Sequence, residues 1–199
     1  MDTPKVTGVL PDLLGRYLRL SEKACVVNQA LSAVRPAVDL AYRGSPSAED
    51  LFLFNDLQLF LIQVFLFDGY VTTCEHYLHL SKDGPITERL QRLTACTNER
   101  GVDYERLLSG VSEIARVRDV WVHALGDPSV LRKPDWPARR TDRFGLRDKD
   151  DSLWVHLSHK ARDGRTVWSF VISTLQGMAK LLWPGVEFRI RQQCLEDPR

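Results

Sequence analysis

The sequence lacks an excess of either charge, a cysteine framework and any long uninterrupted apolar run, and each lack removes a class of protein. Its 27 Lys and Arg residues stand against 26 Asp and Glu, so whole-chain charge offers no case for a nucleic-acid partner and any basic surface must be local. The four cysteines, Cys25, Cys74, Cys96 and Cys194, lie far apart, with no Cys-x-x-Cys pair and no Cys/His cluster at zinc-ligand spacing. That excludes a disulfide scaffold and a structural metal site, and the thiols read as reduced, in a cytoplasmic protein. Residues 1–20 have no apolar stretch behind a basic start, since Asp2, Asp12 and Arg16 interrupt them, and no export signal is expected. The most apolar stretch, 57–67, is bounded by Asp56 and Asp68 and contains Gln58 and Gln63. It reads as a buried core helix too short to span a bilayer, and no membrane partner is expected. The chain has no Gly-rich phosphate loop, no Gly-x-Ser-x-Gly elbow and no EF-hand pattern, so kinase, hydrolase and calcium-sensor chemistry lacks its residues and no cofactor is expected.

What is present is the balance of one globular domain: 199 residues, 44% hydrophobic and 27% charged, enough to bury a core. Apolar residues at helical intervals predict a first helix over 11–34, ending near Pro36 or shortly after, and a long helix over 48–80 with a kink near Gly69. Ser81 to Pro85 is a turn in which Gly84 takes positive φ, followed by a helix over 85–99 and, after Gly101 and a capping Asp103, another over 104–125. Residues 127–151 read as a loop with three prolines and no periodicity. The period then changes to two. Residues 152–159 and 166–172 predict a β-hairpin around Asp163-Gly164, and 173–183 return to helical spacing, closed by Pro184-Gly185, with 186–199 frayed or a short extra element. No internal repeat is visible. The expected class is mostly α, a bundle of four to five helices with a small C-terminal hairpin, in one domain: a helical block at 10–125, a basic loop at 127–151 and a hairpin with a final helix at 152–184.

Late in the fourth predicted helix stands Arg118-Asp119-Val120-Trp121-Val122-His123, which fits the pattern Arg, polar residue, any three, His. In that context, with Val117, Val120 and Trp121 able to face a core and a small-residue stop after His123, it resembles the motif of the HEPN superfamily. These are helical domains of many prokaryotic defence and toxin proteins, often metal-independent ribonucleases. The resemblance covers about 10–125 as architecture and these six residues as motif. It implies a HEPN-like bundle, an endoribonuclease acting as a toxin or antiviral effector, an RNA substrate and catalytic residues Arg118, Asp119 and His123. Family members usually dimerise so that two motifs face one cleft, which implies a homodimer and an antitoxin or defence-system partner. Toxins of this family paired with a nucleotidyltransferase antitoxin commonly carry Tyr two residues after the motif His. This chain has Leu125 there.

The side chains suit the chemistry. Metal-free RNA cleavage needs a group titrating near neutrality to move the 2′-hydroxyl proton or protonate the leaving oxygen, and His123 fits. A guanidinium such as that of Arg118 can meet the charge gathering on the non-bridging phosphate oxygens. Asp119 can orient either of them, although a carboxylate beside a phosphate also repels it. Positions five apart on an α-helix are about 140° apart around its axis, so one chain alone makes a poor site and two copies a better one. Two further readings remain open: a non-catalytic HEPN-like module binding RNA or a nucleotide, and a helical scaffold with no nucleic-acid role.

Between Arg132 and Arg147 the loop carries six cations against two acids, a local net charge of +4. Arg132, Lys133, Arg139, Arg140 and Arg143 can follow an RNA backbone, while Trp136 and Phe144 can stack bases; the alternative is an ordinary solvated loop. His76 and His79 lie three apart with no third ligand at suitable spacing, so complementing a helix C-terminus is expected of them rather than metal binding. His156 and His159 are expected on opposite faces of the hairpin strand.

Overall fold

The computed structural model describes residues 6–41, 46–95, 102–124, 144–147, 153–161 and 163–196. It is mostly helical: α1 (Val6–Ala41), α2 (Pro46–Tyr77), α3 (Ile86–Thr94), α4 (Val102–Ala124) and α5 (Val167–Glu196), with β1 (Gly145–Arg147) and β2 (Leu153–Val155) between α4 and α5. The first helix ends shortly after Pro36, as α1 continues through that proline to Ala41. A proline within a helix leaves the carbonyl four residues earlier without its N–H partner. Here that is the carbonyl of Ser32, and both residues are exposed, so water replaces the lost bond. The same holds in α5, which runs through Pro184-Gly185 to Glu196, where the sequence expects an end; the carbonyl freed there belongs to exposed Lys180.

The second strand expected at 166–172 is also corrected. Val167 onwards forms the first turns of α5, and around Asp163-Gly164 the flanks are joined by a bridge between Lys160 and Thr166 and by the Trp168 N–H donating to the Leu157 carbonyl. β2 pairs instead with β1, antiparallel, in the register Gly145↔Val155, Leu146↔Trp154 and Arg147↔Leu153.

Contacts divide the chain into two compact units, and α1, α2, α4 and α5 each contribute to both. The first comprises Met1–Leu20, Phe65–Ser112 and Ser173–Arg199. Its core stacks Tyr17 on Tyr70 with ring centroids 5.2 Å apart, and the Tyr70 hydroxyl donates to the Ala179 carbonyl at 3.2 Å. Gly177 lets α4 approach α5, because a Cβ there would meet Leu107 Cδ2 at 3.0 Å. The turn into α3 has the expected positive φ at Gly84, +94°, and is held by Arg92 Nη2 donating to the carbonyls of Ser81 and Asp83. Beside it, Arg89 Nε donates to both oxygens of fully buried Glu75 at 3.1 Å, while its Nη1 reaches Asp68 and its Nη2 reaches Thr72, each at 2.7 Å.

The second unit comprises Ser21–Val64 and Glu113–Ile172. Phe144, with no exposed surface, sits edge-on to Phe60 and Phe170 with centroids 6.0 and 5.7 Å away. Three of the unit's buried polar side chains, Ser21, Gln63 and Asp56, are paired. Ser21 Oγ donates to Gln63 Oε1 at 2.8 Å, Gln63 Nε2 returns a bond to the Ser21 carbonyl at 3.0 Å, and the Leu157 N–H donates to Asp56 Oδ2 at 2.9 Å. Such groups are tolerated inside a protein only when satisfied in this way.

The stretch 57–67, expected to be too short to cross a bilayer, is only part of α2, in which Leu51–Tyr77 is long and apolar enough to do so by length and composition. Four polar side chains in that span, Asp56, Gln63, Asp68 and Glu75, nevertheless find protein partners in the fold.

Candidate functional site

The last turns of α4 carry the motif. Ile114, Val117 and Val120, three residues apart and each at most 3% exposed, lock this part of the helix into the second unit and leave Arg118 and Asp119 on its flank with side chains 26% and 37% exposed. Neighbours in a helix do not face each other, but the long Arg118 side chain reaches around. Its Nε and Nη2 both donate to Asp119 Oδ1, at 2.9 and 2.6 Å. Among the described residues, Arg118 Nη1 and Asp119 Oδ2 make no hydrogen bond, so each side chain keeps polar capacity toward solvent.

His123 is exposed in the final turn, one residue before α4 ends at Ala124. Among the described residues, no hydrogen bond, ion pair or ring contact joins His123 to Arg118 or Asp119. On a regular helix the two are roughly 7.5 Å apart along the axis and about 140° apart around it. The structure therefore brings Arg118 and Asp119 together and leaves His123 accessible but separate.

Arg132, Lys133, Trp136, Arg139, Arg140 and Arg143 lie outside the described residues. Phe144, the second aromatic of that loop, is corrected from a stacking candidate to a core residue: wholly buried between Phe60 and Phe170, it has no face to offer a base. His76 is exposed and in ring contact with Tyr77, and exposed His79 takes positive φ, 53°, just past the end of α2. Among the described residues no group of three or more His, Cys, Asp or Glu is placed to hold a metal ion. Burial pushes the Cys74 thiol up to about 12, which makes it a poor nucleophile.

Sequence reasoning did not single out Asp56 as a titrating group, only as a boundary of the apolar stretch. Burial raises its carboxyl above the ordinary 3.8, while the Leu157 N–H and the charges of His156 and Arg35 pull it partly back. Arg35 itself lies over the Phe52 ring, 4.7 Å from the centroid. Because the folded form holds the Asp56 proton more tightly than the unfolded chain, this group's contribution to stability falls as pH rises from about 4 through the raised value. Asp56→Asn retains an acceptor for Leu157 and removes the titration. In urea unfolding at a series of pH values, the variant is expected to lose less stability than the wild type across that window. Equal slopes would show that Asp56 titrates normally.

Comparison with protein families, curated proteins and solved structures gives no match for this chain.

Proposed function

We propose that the chain is a cytoplasmic, metal-independent endoribonuclease with a HEPN-like bundle, working as a homodimer in a toxin or antiviral defence setting. The observation that supports this best is the arrangement at the end of α4: a half-exposed Arg118–Asp119 pair and, five residues beyond Arg118, an exposed His123 on a turn anchored by Val117 and Val120. In the proposed reaction a 2′-hydroxyl attacks the adjacent phosphorus. One His123 takes its proton, and the 5′-oxygen leaves with a proton from an acid, for which the second copy's His123 is the candidate. The products are a 2′,3′-cyclic phosphate and a 5′-hydroxyl. Arg118 meets the charge that builds on the non-bridging oxygens, and Asp119 holds the guanidinium in place between turnovers. Two copies are required because the Arg and His of one helix point apart.

The test is cleavage and binding on the same labelled RNA in EDTA. Cleavage by the wild type, with Arg118→Ala reduced at least a hundredfold, is the expected result. RNA that is bound and left intact would instead identify a binding module, with Arg118 and His123 as contacts.

A further inference from the structure

In the first unit, α1 and α2 enclose a cleft of about 610 Å³ that plays no part in the proposed cleavage. We infer that it binds a small amphiphile, an aromatic or aliphatic body carrying one anionic head. The volume falls in the range of small-molecule sites, roughly 300–1,000 Å³. Four linking residues, 42–45, separate the two helices, so they run antiparallel, and Asp12 to Leu20 on one wall face Tyr77 to Phe65 on the other.

Each part of the cleft has a chemical character. The floor is the Tyr17–Tyr70 stack, both rings 3% exposed, a flat apolar base. At one end Leu20 and Phe65 are 40% and 55% exposed, so an apolar body in the cleft can lie against them and cover them. Between that end and Thr73 the α2 wall drops at Gly69. This glycine is exposed, is not among the positive-φ residues, and would meet nothing within 4 Å if given a Cβ. Glycine is a poor helix former, and neither conformation nor packing requires it here. What it supplies is an open notch above the tyrosines.

The charge follows from the α1 wall. Arg16 and Tyr17 are consecutive, as are Gly69 and Tyr70, so the tyrosine stack sets Arg16 and the notch on the same stretch of the cleft. Among the described residues neither Arg16 nor Asp12 forms an ion pair, and both are exposed. Arg16 offers an anion two parallel donors, while Asp12, one turn further from Leu20, repels it. The head is thereby held at Arg16 with the body toward Leu20 and Phe65.

Two fluorescent probes separate these contributions: anilinonaphthalene sulfonate, which is anionic, and its neutral relative phenylnaphthylamine. The full chain is expected to bind each saturably, one per molecule. Gly69→Phe, which fills the notch, is expected to weaken both at least about tenfold. Arg16→Gln is expected to weaken the sulfonate about fivefold and leave the neutral probe unchanged, while Asp12→Asn strengthens the sulfonate alone. Leu20→Gln, on an exposed position, provides a second route to losing both probes if Gly69→Phe does not fold. Probe affinities indifferent to both Gly69→Phe and Leu20→Gln, or an Arg16→Gln effect equal for the two probes, would overturn the assignment.

Discussion

Arg89→Ala is expected to destabilise the chain by about 3–5 kcal/mol at neutral pH, far more than its place in a short helix suggests. Arg89 is the only cation bonded to Glu75 among the described residues, and the Glu75 side chain has no exposed surface. The guanidinium meets both Glu75 oxygens, spans to Asp68 at 2.7 Å and also binds the Thr72 hydroxyl, so it ties α3 to α2 through one planar group. Without it, the fully buried Glu75 carboxylate is left with no cation to pair with among the described residues. Replacing both residues with leucine removes the buried charge as well as its partner and is expected to cost much less than either single change. Urea unfolding of the three variants checks this. A loss under about 1 kcal/mol for Arg89→Ala would mean that the network is slack and solvated.

His123→Ala is expected to lower RNA cleavage by roughly two to four orders of magnitude, the usual worth of a positioned general acid or base. Stability should stay within about 0.5 kcal/mol of the wild type, because the side chain is exposed and makes no contact with Arg118 or Asp119 among the described residues. That separation of activity from stability distinguishes a chemical role from a structural one. Arg118→Lys should not restore what Arg118→Ala loses, since an ammonium lacks the paired donors that suit phosphate oxygens. Single-turnover rates beside thermal unfolding midpoints provide the comparison. Parallel losses of rate and midpoint in His123→Ala would assign His123 to the fold.

The helices were legible where apolar spacing was long and unambiguous, as in α2 and α4, and the turn at Gly84 was legible because its backbone demands glycine. Helix ends were harder to read. Pro36 and Pro184 look like stops, yet both interrupt helices at places where the freed carbonyl belongs to an exposed residue, a property of the folded surface rather than of the local sequence. The misplaced strand has a similar cause. Apart from Ser169, residues 166–172 are β-branched or aromatic, a composition that favours a strand, but Val167, Phe170, Val171, Leu175 and Met178 are all buried at helical spacing. Composition over seven residues pointed to a strand, and burial along the following turns decides for the helix.

The Arg118 to His123 motif could be read directly because its residues are contiguous. The Glu75 network was not read from the sequence: Asp68, Thr72 and Glu75 recur at i, i+4 and i+7 in an apolar helix, but their partner, Arg89, reaches them across a turn. Asp56 gave no signal, because its partner, the Leu157 N–H, is 101 residues away. The cleft between α1 and α2 was equally hidden. Its one local clue, Gly69, reads as a kink until the space above it is seen.

The measurement that bears most directly on the central claim is analysis of fragment ends after incubating wild-type and His123→Ala protein with single-stranded and structured RNA in EDTA. The account predicts fragments bearing 2′,3′-cyclic phosphates from the wild type and intact RNA from the variant. Intact RNA from both proteins, or the same fragments from both, would contradict it.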